Sequence, residues 1–121
     1  MKLYGITTCD TVRKARRWLD QQGINHHYHD LRKDGIDADT ISHWLTRLPA
    51  DQLLNRRSTT WKQLDPQVRD NLQDSDLPAL LAAHPTLIKR PVLDTGTELS
   101  TGFNDAAWLT LTSNSSRAGK P

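Results

Sequence analysis

An apolar run, a helical stretch and a second extended run follow one another within the first 31 residues, and that order leaves few folds open. Met1 to Ile6 reads as a strand. Val12, Ala15, Trp18 and Leu19 recur at helical spacing, Gly23 supplies a C-terminal stop, and Ile24 to Leu31 alternates enough for a second strand. Strand, helix, strand is a βαβ unit, in which a helical crossover joins two parallel strands. An α/β class follows.

Cys9, the single cysteine of the chain, falls where the first strand turns into a helix opening at Asp10 or Thr11. A thiol at a helix start feels the positive end of the macrodipole and unpaired backbone N–H groups, both of which favour the thiolate. Arg13 follows one helical turn later and adds positive charge. A core cysteine has apolar neighbours, whereas Thr7, Thr8 and Asp10 surround this one. Cys9 is therefore a candidate nucleophile. Lowering a thiol pKa by about two units raises its ionised fraction at pH 7 about 25-fold, but nucleophilicity falls by up to about tenfold. The larger gain is that a stabilised thiolate leaves readily, which suits a cysteine that forms a mixed disulfide and is later released.

A chain of 121 residues is long enough for one apolar core without disulfide or metal staples. With one cysteine, any oxidised state involves another molecule. The net charge of +2 is too small for a dedicated nucleic-acid binder. The start, MKLYGITTCD, is too short and polar for a signal segment, and no apolar run approaches ~18 residues. Neither export nor a membrane is expected, and a reducing cytoplasmic setting fits a free thiol.

Further along, Asp37 is placed as an N-cap, Ile36 and Ile41 as a hydrophobic staple, and Ile41, Trp44, Leu45 and Leu48 as an apolar stripe ending at Pro49. Short helices are predicted around Thr60–Leu64, from Asp65 with Pro66 at its first position, and from about Asp76 to His84. After Pro85, Thr86 to Ile88 leads to Lys89-Arg90-Pro91. Val92–Leu93, a turn at Asp94-Thr95-Gly96 and Thr97–Thr101 then read as a hairpin. Asn104 caps a last helix carrying Ala107, Trp108 and Leu111, and Thr112 to Pro121 is expected to be a disordered tail. The order is βαβ, helices, ββα. A thiol at the first strand-to-helix junction and a proline opening the strand after the helices are what a thioredoxin-like sheet requires.

TTCDTVRKARRWL, with LLN at 53–55, HPTLIKRPVL at 84–93 and TGF at 101–103, resembles the ArsC/Spx/YffB family, and most of all its YffB branch. The resemblance covers about residues 1–111. It implies one thioredoxin-like domain formed by residues 1–33 and 86–111, with an all-helical insertion at 34–85. It also implies a nucleophilic cysteine in a CxxxR loop, here Cys9 to Arg13. By the same resemblance Arg90 binds an oxyanion or glutathione beside that cysteine, and Pro91 is cis. Thr8, Asp10 and Thr11, flanking the thiol, are the remaining candidate contacts for glutathione.

Departures from the family pattern bear on the reaction. Arsenate reductases of the family use three arginines. Asn55 stands where the first belongs, with Arg56 and Arg57 as adjacent substitutes, and Thr101 or Gly102 stands where the third belongs. Each charge-assisted contact contributes ~1.5–3 kcal/mol, so losing two weakens arsenate capture by ~10² or more. Spx-type regulators carry a second cysteine three residues after the first, where this chain has Val12. The resemblance thus implies a glutathione-dependent thiol-disulfide oxidoreductase with no bound cofactor, glutathione as co-substrate and glutaredoxin as a helper. The alternatives are an Spx-like RNA polymerase-binding adaptor without the redox switch, or a weak arsenate reductase.

His26, His27 and His29 lie on the second predicted strand, with His27 and His29 on one face, and no ligand spacing accompanies them. No metal site is expected. The basic residues Arg13, Lys14, Arg16 and Arg17 read as a solvated helix face, and Trp18, Trp44, Trp61 and Trp108 as core.

Overall fold

The computed structural model describes the backbone of residues 1–118 and the side chains of residues 1–113. Chain contacts divide it into two units, Met1–Asp30 with the described residues from Arg90 on, and Leu31–Lys89. The sequence division lay at 33/34 and 85/86. Among the described residues no helix is long and apolar enough to cross a membrane.

The first unit holds a four-stranded sheet in the order β2-β1-β3-β4. Its elements are β1 (Lys2–Gly5), α1 (Asp10–Gln21), β2 (His27–Asp30), β3 (Val92–Asp94), β4 (Leu99–Thr101) and α7 (Asp105–Ala118). β1 pairs in parallel with β2, as the α1 crossover demands, and antiparallel with β3, which pairs antiparallel with β4. This is the thioredoxin-like α/β arrangement that the sequence predicted.

Apolar spacing explains the packing. Val12, Ala15 and Leu19 fall on one face of α1 and are all buried. Ala15 and Leu19 join Leu3 of β1, Leu93 of β3 and Trp108 of α7 in one cluster. Burying a Leu or Val side chain stabilises by roughly 1.5–3 kcal/mol, so this cluster holds both helices on the sheet. Phe103 and Trp18 close its margin, each meeting the Trp108 ring edge-to-face with centroids 4.9 and 6.1 Å away. Gly5 sets the closest approach. A Cβ there would lie 2.6 Å from Cγ1 of Val12, so glycine alone lets the first turn of α1 sit this near β1.

The second unit is built of short helices: α2 (Ala38–Leu45), α3 (Ala50–Leu53), α4 (Thr59–Gln63), α5 (Pro66–Asp70) and α6 (Leu77–Ala83), with 3-10 turns at Asp74–Asp76 and Pro85–Leu87. Ile41 and Trp44 of α2 and Leu77 and Leu81 of α6 are buried where these two helices pack. The predicted caps form: the Asp37 carboxylate accepts from the Thr40 amide at 2.7 Å, and Asp65 from the Gln67 amide at 2.8 Å, with Pro66 opening its helix.

Three expectations change. The stretch from Thr112 was expected to be disordered, but α7 continues to Ala118, while the last three positions of that predicted tail lie outside the described residues. Thr112 is buried, and its hydroxyl donates to the Trp108 carbonyl at 2.8 Å, which satisfies its polar atom within the helix. Trp44 and Trp108 are core as predicted, but Trp18 and Trp61 are only half-buried. The Trp61 ring instead takes the Arg56 guanidinium over its face at 5.7 Å. Helix α3 was not foreseen, and Leu54 bridges Ile88 as an isolated antiparallel pair in what was read as an all-helical segment.

Candidate active site

The loop between β1 and α1 is a tight turn. The Cys9 amide donates to the Ile6 carbonyl at 3.0 Å, closing Ile6–Cys9, and the Arg13 amide donates to the Cys9 carbonyl at 3.0 Å, opening α1. Cys9 is therefore the N-cap of α1, in extended conformation, and its side chain makes no capping hydrogen bond. The free thiol is half-buried. It stands where the helix presents amides that its own ladder does not use.

Arg13 does more than add charge. Its guanidinium donates to the Asp10 carboxylate and, at 3.4 Å, to the Thr8 carbonyl, so it clamps the residues on either side of Cys9. Both side chains of this ion pair are mostly exposed, and solvent screening leaves it geometry more than energy. Thr8 and Thr11 are exposed beside the thiol's position in the chain.

Strand register brings the second motif to the same end of the sheet. Tyr4 pairs with Val92, so Pro91 follows next beside Gly5, the last residue of β1 before the Cys9 turn. The Arg90-Pro91 peptide is cis. Pro91 is buried, Arg90 half-buried, and the Nε atom of Arg90 lies out of solvent. Gly102 completes this end: its amide donates to the Pro91 carbonyl at 2.9 Å, and its φ of +76° suits glycine and strains an arginine.

Asn55 and Arg56 belong to the helical unit, and their side chains are engaged there. Asn55 Oδ1 accepts from the Arg57 amide at 3.1 Å, and Arg56 Nη1 donates to Asp51 Oδ1 at 2.8 Å. The histidines are dispersed in their contacts: His27 is exposed, the His29 ring meets Tyr4 at 5.1 Å, and His26 Nδ1 lies 3.1 Å from the Ile24 carbonyl. Among the described residues no group of three or more His, Cys, Asp or Glu is arranged to hold a metal ion.

From sequence Thr7 was named only as a polar neighbour of the thiol, and Asp30 was not singled out. Thr7, inside the Cys9 turn, donates from its hydroxyl to Asp30 Oδ2 at 2.6 Å and from its amide at 3.3 Å. Asp30 is 9% exposed at the end of β2, paired in register with Gly5. The strand sequence HYHD around it is polar, so nothing in the sequence marked Asp30 out.

A model of the ArsC family matches residues 4–111. A protein of Haemophilus influenzae without assigned function is 44% identical over 103 residues, spanning 85% of this chain and 90% of that one. The solved structure of a protein named YFFB superposes with a TM-score of 0.86 at 37% identity, covering 90% of this chain and 96% of the other. Global transcriptional regulator Spx 1 of Lactococcus lactis is 29% identical over 105 residues, spanning 85% and 81% of the two chains.

Proposed function

The chain belongs to the ArsC family, and on that premise we propose that it is a cytoplasmic, glutathione-dependent thiol-disulfide oxidoreductase with Cys9 as its one nucleophile. The observation that carries this reading is the half-buried Cys9 thiol at the N-cap of α1, without a capping bond of its own, at the same sheet end as cis Pro91.

In the proposed cycle the Cys9 thiolate attacks the glutathione sulfur of a mixed disulfide R–S–S–G. A Cys9–S–S–G disulfide forms, the S–S bond of the mixed disulfide breaks, and R–S⁻ leaves as a thiolate that takes a proton from water. A second glutathione thiolate then attacks the glutathione sulfur on Cys9, releasing oxidised glutathione and restoring the Cys9 thiolate. The net change is R–S–S–G plus GSH to R–SH plus GSSG, with glutathione as reductant. No bound cofactor is needed, and glutaredoxin is the natural protein helper for the second step because the chain holds no resolving cysteine. Arg90 orients a glutathione carboxylate, and the backbone opened by Pro91 pairs with the peptide.

Arsenate is the poorer substrate on this reading. Asn55 and Arg56 spend their side chains on local partners, and position 102 is a positive-φ glycine, so Arg90 is the arginine of the family's set that remains.

Likeness to proteins named Spx supports a second reading, an adaptor without the redox switch. Val12, where those regulators carry a second cysteine, is fully buried against the Gly5 backbone, so the switch position serves packing here.

Turnover of a glutathione mixed disulfide and of arsenate by wild type and Cys9→Ser separates these readings. Mixed-disulfide turnover exceeding arsenate turnover, and falling to background in Cys9→Ser, is expected. Equal rates in the two proteins overturn the reductase reading, and RNA polymerase binding retained by Cys9→Ser would then favour the adaptor.

A further inference from the structure

We propose that Asp30 is a positioning residue for Cys9, acting through Thr7. The proposal rests on reading Cys9 as the nucleophile. Thr7 is the second residue of the turn Ile6–Cys9, and both of its donors, hydroxyl and amide, converge on one oxygen of the Asp30 carboxylate. The donor-acceptor distance from the hydroxyl, 2.6 Å, is that of a charge-assisted bond. Because the turn spans only four residues and its last amide is tied to Ile6, fixing Thr7 fixes the path of the backbone into Cys9.

Nothing in the packing of the core requires an acid at position 30. The strand partner of Asp30 is Gly5, which offers no side chain, and a buried carboxylate carries a desolvation cost that an apolar residue would avoid. An anion near the turn also works against a thiolate electrostatically, so its use here is geometric. A supporting contact extends the hold: the Tyr28 hydroxyl lies 3.4 Å from the Thr7 hydroxyl, and the Arg16 guanidinium of α1 covers the Tyr28 ring at 4.1 Å. Loop, β2 and α1 are thereby joined around the base of the Cys9 turn. A small displacement of a nucleophile from its productive geometry can lower a rate by roughly 10²-fold, so the tie matters to rate more than to binding.

The test compares Asp30→Ala, Asp30→Asn, Thr7→Val and Thr7→Ser with wild type in two assays: alkylation of Cys9 by iodoacetamide without glutathione, and steady-state turnover of a glutathione mixed disulfide. Asp30→Ala and Thr7→Val should lower the alkylation rate and kcat by roughly 10- to 10²-fold with little change in KM. Asp30→Asn and Thr7→Ser, which keep an acceptor and a donor respectively, should recover most of the rate. Far-UV circular dichroism checks folding. Should Asp30→Ala not fold, the Thr7 pair decides alone, since Thr7 is exposed and tolerates exchange. Alkylation and kcat within about twofold of wild type in the folded variants overturn the proposal, as does Asn or Ser failing to rescue. Absence of wild-type turnover would defeat the reductase reading instead, and the alkylation rates would still judge Asp30.

Discussion

In the unit that carries Cys9, Thr7 is tied to Asp30, 23 positions on in the chain, whereas in the helical unit Asp37, Ser58 and Asp65 each bond a residue two or three positions on. The difference is one between a loop tie and helix caps and not between whole units, since Thr60 and Thr86 also meet at 2.6 Å across 26 positions within the helical unit. A sheet pairs its backbone internally, so polar side chains at its end remain available to shape a loop. Helices of four to eight residues leave most of their N-terminal amides outside the ladder, and nearby polar residues are taken up as caps. Asn55, Ser58 and Arg56 show the result, since each has a local partner and their arrangement serves the fold of their own unit.

The largest effect expected of a single change away from the thiol is in the sheet unit. Trp108 is 1% exposed, lies in the cluster with Leu3, Ala15, Leu19 and Leu93, and is braced by two edge-to-face rings. Trp108→Ala should cost about 3–5 kcal/mol, read from the midpoint of urea unfolding at constant slope. A loss below about 1 kcal/mol would mean that α7 contributes little to holding the sheet.

Gly5→Ala is expected to rank next. Alanine in place of a strand glycine ordinarily stabilises, but here the added methyl meets Cγ1 and Cγ2 of Val12 at 2.6 and 2.8 Å. Val12 is β-branched and fully buried, so it has no open rotamer to retreat to. Overpacking of this kind costs about 1–3 kcal/mol. Because Val12 lies on the first turn of α1, the rate of Cys9 alkylation should change together with stability. Unchanged stability with an altered thiol rate would show that the strain is absorbed by the turn and not by the core.

What could be read from the sequence is mostly local pattern, in both units. The α1 start, the Asp37 and Asn104 caps and the proline-led α5 rest on neighbours a few positions apart, and each was predicted from spacing; Asn104 Oδ1 accepts from the Ala107 amide at 2.9 Å. The placement of Pro91 at the end of β1 beside the Cys9 turn follows from the motif resemblance and the sheet order together. The Thr7–Asp30 tie was not legible, because nothing local distinguishes an acid that reaches across a parallel strand pair from one that faces solvent. Helix α3 is four residues long, too short for a periodic signal. The extension of α7 past Thr112 was masked by a polar composition that reads as unstructured until the hydroxyl is seen to bond the helix's own carbonyl.

The smallest expected effect lies in the helical unit and is one of pH. Hydrogen bonds from the Thr40 side chain and its backbone amide hold the Asp37 carboxyl below its ordinary value of 3.8. A carboxylate with a lowered folded-state pKa contributes stability that is fully present above its unfolded value and is lost as pH falls through the folded one. Asp37→Asn keeps an acceptor for the Thr40 amide, and asparagine caps about as well as aspartate, so at neutral pH the two proteins should differ only by the loss of a negative charge at a helix start. Thermal melts from pH 6 down to pH 2.5 should therefore show wild type slightly ahead at the upper end and the gap narrowing below about pH 4. A gap that stays constant over this range would mean that Asp37 caps α2 by geometry alone, as the neutral Ser58 caps α4, with its charge contributing nothing.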